Sequence, residues 1–299
     1  ECLPGAYAGG VQKMVFELAS AQRRLGADVE IWTPDAIRAG STETFDGLPV
    51  RYFYPDPLVG LARSFRLQRE IDKLPADVVL HAHNTFNPLN VQVDEAASAR
   101  GLKAFFNPHG ALDPALFSGW DFKSLKKRLY IRFFTRPKLN RATGVFALTT
   151  LEQSQLTSLG VTSPTHVVPN GIRPVAVAPR EAGLALRARH GLGPTDRIAL
   201  FVGRITAKKR IEDIIRAIAG LGAHLFIAGN PEAEPDYAAF LHTEAKAAGC
   251  ADRIHWLGFM DEEAKVAAYA AADCFVHASE SEGMALAILE AMSAGLPVV

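Results

Sequence analysis

Glu282 and Glu290 stand eight positions apart in EGMALAILE, separated by a glycine turn and the start of a helix. On a single helix, a rise of about 1.5 Å per residue would hold them roughly 12 Å apart. A retaining glycosidase places its carboxylate pair about 5 Å apart, and an inverting one up to about 9.5 Å. The two glutamates therefore do not suit an acid and nucleophile working on one bond. They suit two acceptors for a hydroxyl-rich ligand, one in a loop and one along the following helix. The plainer alternative is a surface glutamate and an unrelated helix glutamate.

A second group lies in FVGRITAKKRIEDIIRAIA. Ile198 to Val202 is a continuous apolar run that reads as a buried strand, ended by Gly203 and Arg204. Ile211, Ile214, Ile215 and Ile218 form the apolar stripe of a helix beginning near Arg210. Lys208, Lys209 and Arg210 crowd the start of that helix, where the macrodipole already carries about half a positive charge and favours anions. Such a break with local electrostatics marks a functional position. Its simplest compensation is an anion with more than one charge, such as a diphosphate, held by Arg204 and Lys209 with help from the helix amides. A basic surface patch is the alternative.

Gly9 and Gly10 precede a helix, where bare backbone amides could approach a phosphate; a tight turn is the other reading. The loop reads G-x-x-x-G-G, which departs from the dinucleotide pattern. His81 and His83 share one face of a strand, a spacing that could suit a metal, but no third ligand is near in sequence. They read as cleft-wall or ordinary hydrogen-bonded histidines. His109, between Pro108 and Gly110 at a strand end, is a site candidate, with a structural loop histidine as the alternative. The segment KSLKKRLYIRFFTRPKLNR, Lys123 to Arg141, has basic and aromatic residues but no acid. It could rest on an anionic membrane surface or acceptor, or be a solvated basic face over a core of Leu125, Leu129, Ile131 and Phe133.

These residues must be positioned by elements that alternate strand and helix, as a parallel sheet covered on both faces requires. A helix over Val11 to Leu25 leads to a strand at Val29 to Thr33. A helix over Leu61 to Leu74, strands at Val78 to Ala82 and Lys103 to Asn107, and a long basic helix over Phe122 to Leu139 follow. A strand at Gly144 to Leu148, a helix over Leu151 to Leu159 and a strand at His166 to Val168 complete the first half. Pro174 to Pro194, rich in Pro, Ala and Arg, reads as the linker, so the domains are 1–173 and 174–299. Domain two repeats the alternation with strands at Ile198, Leu225, Ile254 and Cys274. The marked residues fall repeatedly at carboxyl ends of strands, where open α/β sheets bind ligands. No apolar strand precedes the first glycine loop, and the closing LPVV reads as a strand that stops. The expectation is a chain lacking a short N-terminal piece and a larger C-terminal one.

The chain has 299 residues, long for one core and suited to two domains. Apolar residues make up 48% and charged residues 21%, ordinary for a globular protein, and the net charge is zero, which gives no whole-molecule attraction to nucleic acid. Cys2, Cys250 and Cys274 are odd in number and form no CxxC pair, which favours a reducing compartment, the cytoplasm. No apolar run approaches about 18 residues and no signal-peptide pattern is present.

Taken in order, Gly9 and Gly10 before a helix, HAHN at His81, NPHG at Asn107, VPNGI at Val168, VGR with Lys209 five residues after the arginine, FIAGN at Phe226 and the E-x7-E segment span nearly the whole chain. The ordered set resembles the retaining nucleotide-sugar glycosyltransferases of GT-B fold, the bacterial family 4-like, group 1 enzymes. The resemblance implies an α/β fold of two Rossmann-like, doubly wound domains facing a cleft. It implies that Arg204 and Lys209 bind the diphosphate of the donor, Glu290 the ribose, and that Glu282 lies by the transferred sugar. His109 then lines the donor-sugar pocket. Gly9, Gly10, Gly283, Met284 and Ala285 complete the donor-binding set; His109, Arg204, Lys209 and Glu282 are the catalytic set.

The donor implied is a UDP- or GDP-sugar, with no cofactor or metal required because the two cations take the metal's part. The acceptor implied is a glycan or lipid-linked glycan in cell-surface polysaccharide synthesis, at the inner face of the plasma membrane. Family precedent is same-face attack, the departing phosphate taking the acceptor proton. Two departures bear on donor identity: Glu282, Gly283, Met284, Ala285 stand where the family often has EGFG, and Arg210 stands where a glycine commonly follows the lysine. A GT-B epimerase, a phosphorylase using pyridoxal phosphate, and a non-catalytic sugar-nucleotide binding module are the rival readings.

Overall fold

Short apolar runs buried on both faces cannot show a polar side to water, so they assemble as inner parallel strands joined through helices. The computed structural model describes residues 9–35, 37–54, 56–58, 61–175 and 180–299. The chain divides into two compact units between Gly171 and Ile172. The residues before Gly9, and 176–179 of the expected linker, lie outside the described residues.

In the first unit, α1 (Gly10–Arg24) leads to β1 (Ile31–Pro34), β2 (Thr42–Phe45) and β3 (Leu48–Phe53). β1 runs parallel to β3, while β2 and β3 form an antiparallel hairpin. Its two-residue loop is Asp46-Gly47, with φ of 48° and 77°, the Asp-Gly turn whose twist matches the strands. A second small hairpin pairs β4 (Asp56–Leu58) with β5 (Leu61–Arg63), so α2 (Phe65–Asp72) starts later than the expected Leu61. The main sheet has the order β6-β7-β8-β9 and is wholly parallel. Its strands are β6 (Val79–His83), β7 (Lys103–Asn107), β8 (Gly144–Ala147) and β9 (Thr165–Val167), with α3 (Pro88–Arg100) between β6 and β7. Phe106, Val145, Ala147, Leu112 and Leu156 fill the core beneath it.

The basic segment is α4 (Phe122–Tyr130), a π-helical turn at Ile131–Thr135 and α5 (Arg136–Arg141), followed after β8 by α6 (Thr150–Ser158). The core expected beneath it is only partly there. Ile131 is buried, but Leu125, Leu129 and Phe133 are exposed. The side chains turned inward are Ser124, Ile131, Thr135, Lys138 and Leu139; the steps of seven, four and three residues from Ser124 to Lys138 keep them on one packed face, with Leu139 at its edge, and leave Leu125 and Leu129 on the other.

In the second unit, α7 (Arg180–Arg189) lies inside the expected linker. It is anchored, not loose: Gly183 packs so closely that an added Cβ would stand 2.5 Å from the Ala270 carbonyl oxygen. The buried Arg187 guanidinium donates to the carbonyls of Ala271 (2.8 Å) and Asp196 (2.7 Å) and to the Asp273 carboxylate (3.1 Å). A composition rich in Arg and Ala is here a buried clamp. The four strands β10 (Ile198–Val202), β11 (His224–Ala228), β12 (Ile254–Gly258) and β13 (Cys274–Phe275) are parallel, in the order β12-β11-β10-β13. The helices α8 (Ile211–Ala219), α9 (Pro235–Ala247), α10 (Glu262–Ala271) and α11 (Leu286–Ser293) connect and cover them. Phe275 makes a parallel bridge to Val298 beyond α11. No described helix is long and apolar enough to cross a membrane.

Candidate functional site

The carboxyl end of β10 is shaped by a glycine contact. Gly203 N–H donates to the Ala228 carbonyl at 3.0 Å, and a Cβ on Gly229 would stand 2.1 Å from the Gly203 oxygen and 3.0 Å from Ile205 Cγ1. The glycine of FIAGN is thus needed for backbone to approach backbone, which seats the loop carrying Arg204. Arg204 is exposed and, among the described residues, its guanidinium has no hydrogen bond or ion pair. A 3-10 turn, Ala207–Lys209, follows. The Glu280 N–H donates to the Lys208 carbonyl at 3.1 Å, tying this loop to the one after β13.

That tie joins two of the expected site residues. The Lys209 ammonium forms an ion pair with the Glu282 carboxylate, and His277 Nε2 lies 3.5 Å from the same oxygen. Burial would raise the Glu282 carboxyl, but the His277 ring and the Lys209 ammonium overcome it and hold the group at about 2. Glu282 is a carboxylate at any physiological pH.

Arg210 does not join them. It sits in the left-handed region at φ 49°, its Nε donating to Asp213 at 2.7 Å and its guanidinium 3.4 Å from Glu280. The helix amides expected to assist an anion are also committed in part: the Ile211 N–H donates to the Tyr237 hydroxyl (2.8 Å), which donates to Glu212. With Glu212 and Asp213 in its first turn, α8 balances its own dipole.

Glu282 lies in the loop and Glu290 on α11, with Gly283, Met284 and Ala285 between; Ala285 is the extended residue before the first turn. Glu290 is buried. Its Oε2 accepts from the Tyr269 hydroxyl at 2.9 Å and stands 3.3 Å from the Lys265 ammonium. Burial, with the charge of Glu290 beside it, pushes the Tyr269 hydroxyl well above its ordinary range.

In the first unit, β6 and β7 end side by side and their terminal histidines cluster. His81 Nε2 lies 2.6 Å from Asn107 Oδ1, and His83 Nδ1 lies 3.0 Å from His109 Nε2, with the latter two rings stacked. His109 has φ 57°. Burial lowers all three rings, His109 to about 4 and His83 well below its ordinary range, so they are neutral hydrogen-bonding groups at neutral pH. Among the described residues no group of three His, Cys, Asp or Glu could hold a metal. Gly9 precedes α1 in an extended conformation, φ −73° and ψ 168°, and accepts from the Lys13 N–H at 3.1 Å. The glycine pair therefore opens a helix and is not a left-handed turn.

Residues 9–171 match the family model described as glycosyl transferase 4-like domain, and residues 184–299 match glycosyl transferases group 1. The chain is a group 1, family 4-like glycosyltransferase. That family is a retaining one. The glycosyltransferase is 28% identical over 327 residues to the D-inositol 3-phosphate glycosyltransferase of Actinosynnema mirum, across 98% of this chain and 75% of that protein. Its structure is similar to HepE of Anabaena in complex with UDP-glucose, at TM-score 0.76 and 20% identity over 99% of this chain and 78% of that one. It is also similar to the sucrose-phosphate synthase of Thermosynechococcus elongatus, at TM-score 0.74 and 20% identity over 97% and 75%. The fold is GT-B, α/β with a parallel sheet in each unit.

Within each unit, several groups that hold the candidate residues were not singled out by sequence. Glu152 is buried, and its carboxylate accepts from the Gly110 N–H and the Leu148 N–H, both at 2.6 Å. It thereby fastens the His109 loop to the end of β8. A signal existed, since Thr149 to Glu152 is a Thr-x-x-Glu capping box, and the Thr149 hydroxyl does accept from the Glu152 N–H at 3.0 Å. His277, Lys265 and Tyr269 carried no such signal.

Proposed function

We propose that this glycosyltransferase moves a sugar from a UDP- or GDP-sugar to a glycan or lipid-linked acceptor in cell-surface polysaccharide synthesis, at the inner face of the plasma membrane. The observation that carries the donor assignment is the Lys209–Glu282 ion pair, its lysine five residues after the exposed Arg204. An ammonium has three N–H donors; Glu282 takes one, which fixes the side chain while leaving the others for phosphate oxygens. Arg204 supplies a planar fork suited to the same oxygens. As the glycosidic bond breaks, its electron pair passes to the diphosphate oxygen, and the two cations offset the charge that develops there, usually the largest single catalytic contribution.

Glu282, ionised throughout, sits where positive character on the transferred sugar is stabilised. His109 is the neutral ring that meets a sugar hydroxyl without adding a second cation. Glu290, held by Tyr269 and Lys265, receives the ribose hydroxyls. With same-face attack the departing phosphate oxygen takes the acceptor proton, so the scheme needs no separate general base. The uridine choice draws support from HepE, whose structure contains UDP-glucose.

The test is calorimetric titration of UDP, GDP and the matching nucleosides into the wild type, Arg204→Ala and Lys209→Ala. Each charge-assisted contact is worth about 1.5 to 3 kcal/mol, so diphosphate affinity should fall roughly ten- to a hundredfold while nucleoside affinity is little changed. Equal losses for both ligands would remove these residues from the phosphate site. Product analysis with and without acceptor separates transfer from epimerase, phosphorylase and simple binding activity.

A further inference from the structure

We propose that the outward face of α4 and the π turn after it is a docking surface for an anionic phospholipid bilayer. Phe122, Leu125, Leu129 and Phe133 follow one another at spacings of three, four and four residues, which stacks them on one side of the helix. All four are exposed, Phe122 at 82% and Phe133 at 61%, and Trp120 in the preceding turn is 97% exposed. Side chains of this size seldom stand in water as a contiguous row without a partner. The opposite side of the same helix is already packed through Ser124, Ile131, Thr135 and Leu139.

The charges around the row identify the partner. Lys123, Lys126 and Arg132 are exposed beside it. The Arg128 guanidinium lies 5.9 Å from the Trp120 ring, and that of Arg132 lies 5.9 Å from the Phe133 ring. From Phe122 to Arg141 there are eight basic residues and no acid. Asp121, just before, is committed to capping α4, accepting from the Ser124 N–H at 3.0 Å and from its hydroxyl at 2.6 Å. An apolar row flanked by cations suits a bilayer surface, where aromatic and leucine side chains enter the acyl boundary and lysine and arginine stay at the phosphates. A second copy of the chain docking through the same face would set cation against cation. This surface rests on the membrane location proposed above and not on the donor assignment: loss of vesicle binding with diphosphate titration intact would remove the membrane location alone.

The experiment is sedimentation of the whole protein with vesicles of phosphatidylcholine alone, and with an equal part of phosphatidylglycerol, at low and high salt. Binding is expected to the mixed vesicles only and to weaken with salt. Replacing Lys123, Lys126 and Arg132 by Gln together should cost on the order of a hundredfold in partitioning, at about fivefold per cation. Replacing Trp120, Phe122 and Phe133 by Ser should also abolish binding while circular dichroism and melting temperature stay as in the wild type, since these side chains are exposed. Equal binding to both vesicle types, no binding to the mixed vesicles at low salt, or wild-type binding by either variant would overturn the proposal. So would a concentration-dependent dimer that the Ser variant dissolves in the absence of vesicle binding, which would assign the face to a second copy.

Discussion

The histidine cluster makes the first unit sensitive to acid, and His109→Asn tests how much. His109 is held at about 4, against 6.5 for an ordinary histidine, chiefly by burial and then by the neighbouring His81. Its folded value is lower, so the unfolded chain binds more protons between these limits and stability rises with pH there. The contribution of the neutral ring is fully present above about 6.5 and is lost as pH falls from 6.5 towards 4. For one such group the loss between pH 7 and pH 5 is about 2 kcal/mol. At roughly 2 to 4 °C per kcal/mol for a unit of this size, that is a fall of about 4 to 8 °C in melting temperature. His83, also lowered by burial, acts in the same direction. Asn tolerates the left-handed backbone at this position and does not titrate. Calorimetric scans at pH 7 and pH 5 should therefore show a smaller acid-induced drop for the variant than for the wild type, by about that amount. Equal drops in the two proteins would refute the view that His109 is buried and neutral.

Glu282→Gln should mainly lower turnover and Glu290→Gln mainly weaken the nucleoside part of the donor, because contacts at the transferred sugar strengthen in the transition state while ribose contacts persist throughout; steady-state kinetics with matching defects in the two variants would reject this division. Tyr269→Phe should cost about 1 to 3 kcal/mol in denaturant unfolding, since it removes the hydrogen bond that the Tyr269 hydroxyl donates to the buried Glu290 carboxylate. Gly229→Ala should destabilise by about 1 to 3 kcal/mol and also weaken diphosphate binding, because its methyl would collide with the Gly203 carbonyl that seats Arg204; unchanged binding would mean that this loop tolerates the shift.

Much of this molecule was legible before its coordinates. Lys103–Asn107 and Ile198–Val202 are the strands expected there; the second announces itself as a short unbroken apolar run because an inner parallel strand must be apolar on both faces. Arg204, Lys209 and Glu282 stood out because charges beside strand ends and helix starts have few structural reasons to be there. The β2–β3 hairpin was legible too, in Asp46-Gly47, yet was not expected. By contrast, α3 has no single apolar stripe: Asn90, Gln92 and Asp94 are buried on it alongside Leu89 and Val91. A periodicity argument detects only helices with one buried face, and this one is buried on several. α7 was hidden by the same logic, since its anchor is the arginine that composition assigned to a linker.

What only the tertiary structure decided is which groups meet. The order β12-β11-β10-β13 places the loop after β13 beside the loop after β10, and that adjacency carries Glu282 to Lys209 and Glu280 to Arg210. Local sequence marks each strand by its burial, but strand order depends on how separate helices pack across the sheet, which no local pattern encodes. The same holds for the outward turn of Leu125, Leu129 and Phe133: residue type alone places them in a core, and only the competition among all faces of the segment for one packing surface leaves them in water.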